Sequence, residues 1–210
     1  MKDFDLSARM RLASRDDTPR AFGAKVISVI LHPFIVGPVV FMHFSFAGTE
    51  NPAFGWLVWC ITFIATNVVI GSYVGLMKRR GITESVDVPE RLLRRKPFAI
   101  GAAGYAAATI LLSLIDAPVT VVVLMSIYAV NTVIATVINH WWKISIHGMA
   151  IAGVIVPFLY LYGGSWWWLL VLFPFMIYSR TKLKAHTPAQ AISGVVLAFI
   201  LTWLQLKFWI

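Results

Sequence analysis

The sequence predicts an all-α fold, a polytopic membrane bundle of about six to seven transmembrane helices, on three observations. Its composition is 59% hydrophobic and only 13% charged, and its mean hydropathy of +0.79 lies far above that of soluble globular chains. Residues 26–48, 54–77, 97–115 and 117–139 form runs without Asp, Glu, Lys or Arg, each long enough to cross a bilayer as a helix that satisfies its own backbone polar groups. Finally, 17 of the 18 Lys and Arg fall in segments that such a topology places on one membrane face.

The first four spans follow directly from these runs. The run 148–178 is 31 residues, about 46 Å of helix at ~1.5 Å per residue, which exceeds one ordinary span. Gly163-Gly164-Ser165 interrupts it, so it reads as a helical hairpin. The tail 189–209 supplies the last span. The first 25 residues are polar and charged, unlike a cleavable signal peptide, which makes the first span the anchor. They mix Arg9, Arg11, Arg15 and Arg20 with Leu6, Met10, Leu12 and Phe22, and read equally as a surface-lying amphipathic helix or a basic tail. One cysteine, Cys60, rules out an intrachain disulfide and a cysteine zinc site.

The net charge of +9 invites a nucleic-acid reading, but its placement argues for topology instead. Segments 1–25, 78–96, 140–147 and 179–188 hold six, seven, one and three Lys/Arg, and the opposite loops hold almost none. By the positive-inside rule the basic face and the N-terminus are cytoplasmic. Loops far apart in sequence therefore converge on one face. Two of them also carry histidines in particular contexts.

In "WWKISIHGMA", Lys143, Ser145 and His147 precede an apolar helix, whose free N–H groups and positive dipole end favour an anion. In "YSRTKLKAHTPAQ", Ser179 and Arg180 are followed after five residues by His186, and Pro188 starts a helix. Gln190 falls four residues after His186, within reach of the imidazole on a helical turn. Arginine offers a planar fork suited to phosphate oxygens. His32 and His43, inside the first span, read as neutral histidines bonded between helices, and His140 as interfacial. No histidine or carboxylate spacing suggests a metal site.

These residues resemble the type-2 phosphatidic acid phosphatase family, membrane relatives of vanadium haloperoxidases. "SRTKLKAH" matches that family's Ser-Arg, five residues, His motif, and "ISIH" stands where it usually has Pro-Ser-Gly-His. Its remaining motif, Lys, six residues, Arg-Pro, is poorly kept in "DVPERLLRRKPF", where Asp87 holds the lysine's place relative to Arg94. The resemblance implies a metal-free and cofactor-free hydrolase with an integral membrane domain over 26–210. His186 would be the nucleophile, His147 the general acid and base, and Gln190, in place of the usual aspartate, the residue orienting His186. Arg180, Ser145, Lys143 and Arg91 or Arg94 would hold the phosphoryl oxygens. The implied substrate is a membrane lipid phosphate or isoprenoid pyrophosphate. A lipid phosphotransferase, or a non-catalytic transport or lipid-binding protein of the same fold, is the alternative.

Overall fold

The computed structural model describes residues 19–210, so the expected interfacial helix of the basic N-terminal segment lies outside the described residues except at its end. The described residues are all-helical, and among them six helical stretches are long and apolar enough to cross a membrane. In chain order the α-helices are α1 (Pro19–Ile30), α2 (Pro33–Ala47), α3 (Pro52–Phe63), α4 (Ile70–Arg79), α5 (Arg95–Leu114), α6 (Val119–Ile138), α7 (Ile146–Tyr162), α8 (Leu172–Lys182) and α9 (Pro188–Trp209).

The first span is not one rod. Proline disfavours helical backbone in the residue before it, and His32, before Pro33, adopts an extended conformation that separates α1 from α2. Its Nδ1 accepts the Phe34 N–H at 3.1 Å, so the imidazole caps α2. The second span, Pro52–Arg79, joins α3 to α4 through a π-helical turn at Ile64–Val69. Within that turn Asn67 donates to Phe34 O at 2.7 Å, tying the second span to α2.

The longest apolar stretch, Ile146–Lys182, is 37 residues, which as one helix would separate its ends by roughly 50 Å. Instead His147, at its start, and Arg180, at its end, both reach Asp87. The stretch is therefore doubled back, as the Gly-Gly-Ser interruption predicts. The reversal falls at Gly163, whose φ of 72° and ψ of −150° lie in a region open essentially to glycine alone. A 3-10 segment, Gly163–Val171, leads from it into α8.

The most extensive helix contact is between α7 and α9. Small residues permit it, as in membrane helix pairs generally. A Cβ on Gly194 would stand 2.5 Å from the Ser145 carbonyl oxygen, and one on Gly148 would stand 3.0 Å from Ala191 O. Asn131 on α6 adds polar ties to α9, donating to Thr202 at 3.2 Å and accepting from Gln205 at 2.8 Å. Gly194→Ala is expected to lower stability by about 1–3 kcal/mol, because backbone rather than a flexible side chain must move. Thermal unfolding in detergent measures this, and an unchanged midpoint would contradict the close packing.

Candidate active site

Helix caps and loops at one end of the bundle build the site. His32 caps α2, and Ser145 caps α7 by accepting the Gly148 N–H at 3.3 Å. Thr187 caps α9 in a reciprocal box with Gln190. Around these three positive helix ends stand Arg94 at the start of α5 and Arg180 at the end of α8, 4% and 2% exposed respectively. His147 and His186 are also buried. His32, Arg94, His147, Arg180 and His186 all line one cavity of about 140 Å³.

At the centre is Asp87. Arg180 Nη2 donates to its Oδ2 at 2.8 Å, and its Oδ1 lies 3.2 Å from His32 Nε2 and 4.0 Å from His147 Nε2. Since His32 Nδ1 already accepts a backbone N–H, its ring proton sits on Nε2 and points at Asp87. The turn that presents Asp87 is strained. Val88 has φ of 45°, a rare conformation for a β-branched residue. Arg94 secures it, donating from Nε to Val88 O at 2.7 Å and from Nη2 to Asp87 O at 3.4 Å. Burial raises the Asp87 pKa, but the His32 hydrogen bond and the charges of His147 and Arg180 prevail and hold the carboxyl well below the usual carboxylate range.

Away from this charged end the cavity runs between the spans along Phe34, Ile70, Phe98, Gly101, Tyr105 and Tyr128. A crevice of about 90 Å³ continues it, sharing Tyr105, Tyr128 and Thr132. The site thus joins fixed cations and imidazoles to an apolar slot within the membrane-spanning region.

The other sequence candidates are placed differently. Arg91 staples two loops, donating to Asn139 O at 3.1 Å and to His140 O, and does not face the cavity. Of the pair Arg91 or Arg94, the structure puts Arg94 at the site. The Ser145 hydroxyl is occupied by its helix cap. Lys143 donates to Ala185 O at 3.0 Å, linking the two histidine-bearing loops, and lines a neighbouring basin. Gln190 does not take the orienting role expected of it. It stands near enough to His186 to favour the protonated ring, yet its carbonyl oxygen accepts the Thr187 N–H at 3.2 Å and His186 Nδ1 has no hydrogen-bond partner. The competing interaction is the capping box, whose spacing Thr187-x-x-Gln190 was legible in the sequence.

Asp87 and His32 are the site residues that the sequence reading did not assign. A proline following His32 was the available signal for a break that would turn its side chain inward. His43, by contrast, lies 2.9 Å from Tyr162 near the Gly163 reversal, remote from the site, and His140 bonds Arg95 at 2.8 Å.

His32, Asp87 and His147 place ligand-type atoms within 4.8 Å of one another, the only such metal-capable trio among the described residues. The donor set does not suit an ion. A metal needs a free lone pair on His32 Nε2, which carries the ring proton while Nδ1 accepts Phe34 N–H, and Arg180 already holds the other oxygen of Asp87.

Burial, followed by the charges of Arg94, Arg180 and Lys143, pushes the His186 pKa down to about 4. The ring is neutral at physiological pH, with a lone pair to offer. Unfolded imidazole titrates near 6.5, so the unfolded chain takes up a proton that the folded ring refuses, and this contribution to stability is lost as pH falls from about 6.5 to 4. An NMR titration of the His186 ring should show a midpoint near 4. A midpoint above about 6, the ordinary histidine range, would contradict this environment.

Fold and site together define a multi-pass helical membrane protein with a cluster of histidine and arginine side chains around a half-buried aspartate at one end of an apolar slot. No family model, curated protein or solved structure matches the chain.

Proposed function

We propose that this protein is an integral membrane phosphatase that hydrolyses a lipid phosphate or an isoprenoid phosphate or pyrophosphate through a phosphohistidine intermediate, acting from the cytoplasmic face. The observation that carries the reading is the cavity itself, where two buried imidazoles and two buried guanidiniums meet an apolar slot between spans. A phosphoryl group fits the first part and a lipid chain the second. The type-2 phosphatidic acid phosphatase resemblance of "SRTKLKAH" and "ISIH" points the same way.

The neutral His186 ring attacks phosphorus, and the bond from phosphorus to the lipid oxygen breaks with its electron pair leaving on that oxygen. His147 supplies the proton the oxygen needs. His147 then takes a proton from water, the resulting hydroxide attacks phosphorus, and the bond to His186 breaks to release phosphate. Arg180 and Arg94, fixed before substrate arrives, stabilise charge on the phosphoryl oxygens in both steps. Asp87, 4.0 Å from His147 Nε2, places a carboxylate beside the acid.

His186→Ala should abolish turnover of a lipid phosphate together with any acid-labile phosphoprotein. His147→Ala should slow turnover by roughly a hundredfold to ten-thousandfold, the usual range for losing a general acid or base. It should also accumulate phosphohistidine with substrates whose leaving group needs no proton. Undiminished turnover in His186→Ala would end the phosphohistidine reading and leave a lipid-binding role for the fold. Orthovanadate should inhibit, since its trigonal-bipyramidal adduct resembles the phosphoryl transition state.

The orientation is tested separately. Cysteines introduced in 78–86 should resist a membrane-impermeant reagent in intact cells, while one at Thr49 or Glu50 should label. The reverse pattern would put the site on the outer leaflet.

A further inference from the structure

Asp87, Arg94 and Arg180 face two cavities. On the side away from the apolar slot they form one wall of a larger basin of about 380 Å³, which Lys25, Ser28, Ser85, Lys143 and Lys184 complete. Five cations and a single carboxylate therefore ring one concavity. That carboxylate is already committed to Arg180 and His32. Among the described residues no acidic side chain forms an ion pair with Lys25, Lys143 or Lys184.

A topological signal needs lysines and arginines on this face, but it does not require them to surround a hollow. These come from α1, the start of α5, the loop before α7, the end of α8 and the turn after it. The wall also holds an unspent donor, because Arg180 is 2% exposed and its Nε has no hydrogen-bond partner. Lys143 is pushed below its ordinary pKa by burial and by Arg94 and Arg180, which is what crowded cations do when counter-charge is short. An apolar or cationic ligand has no favourable interaction here. A compact, multiply charged oxyanion has many.

We propose that this basin is a second phosphoanion site, divided from the lipid cavity by the Asp87–Arg180 pair. Two sources share that chemistry, the phosphate released when His186 is regenerated and the distal phosphate of a lipid diphosphate. The choice between them rests on the catalytic reading above; the affinity for phosphate itself does not.

The test uses Lys25→Gln with Lys184→Gln, since both side chains are exposed and carry no part of the catalytic machinery. Inorganic phosphate is titrated calorimetrically into full-length His186→Ala protein, with and without the two lysine changes. The pair of changes should weaken binding about fivefold or more, and Lys→Arg at both positions should restore it. In the otherwise unaltered protein, weaker inhibition by phosphate with unchanged kcat/KM on all lipids assigns the site to released phosphate. A fall in kcat/KM for a prenyl diphosphate but not for the monophosphate assigns it to the distal phosphate. Phosphate affinity and diphosphate kinetics that both ignore the lysine changes overturn the site, even if lipid hydrolysis proceeds. Phosphate binding that depends on the lysines upholds it, even if no lipid phosphate is hydrolysed.

Discussion

The ion pair between Asp87 and Arg180 is the contact on which the rest of this site is assembled. Arg180 is buried at the end of α8, with its second arm 2.7 Å from Ser28 on α1, and Asp87 comes from the loop between the second and third spans. The 2.8 Å bond between them therefore joins three parts of the chain that no short-range interaction could align. His32 and His147 gather on the same carboxylate. Arg180 is buried while Asp87 is half-buried; leaving the guanidinium without its counter-charge at that depth costs about 3–5 kcal/mol, which makes the arrangement hard to abandon piecemeal. The strained Val88 backbone persists for the same reason, because Arg94 holds its carbonyl from inside the bundle.

The electrostatic character of the site follows from that assembly. Three helix N-termini, two buried guanidiniums and a nearby lysine give an environment that favours anions, and one carboxylate only partly offsets it. Burial, together with the same field, keeps His186 neutral at physiological pH. Gln190 accepts the Thr187 N–H in its own helix cap, and the Asp87 carboxylate stands 4.0 Å from His147. The apolar slot and the basic basin share the Asp87–Arg180 pair as a common wall.

Much of this was determined by sequence alone, because the relevant physics is local. Uncharged runs set the spans, Gly163-Gly164-Ser165 marked the hairpin, and the count of crossings put the loops bearing Arg94, His147, Arg180 and His186 on one face. Parity of crossings needs no knowledge of packing. The first uncharged run reads as one continuous span, although the residue before Pro33 carries the signal for its break, and His32 reads as a neutral histidine bonded between helices. Only the tertiary structure decided which groups meet. Asp87 belongs to the site because a loop adopts a positive-φ turn that a distant arginine stabilises, and no spacing in "DVPERLLRR" encodes that. Arg91 and Arg94 are chemically alike in sequence, but one staples two loops through the Asn139 and His140 carbonyls and the other is buried against the Asp87–Val88 backbone. Gln190 had two partners within reach, and the backbone geometry at Thr187 settled the choice. Where covalent spacing and hydrophobicity fix an outcome, the sequence suffices; where two side chains compete for one partner, only the packed structure shows which distance is shorter.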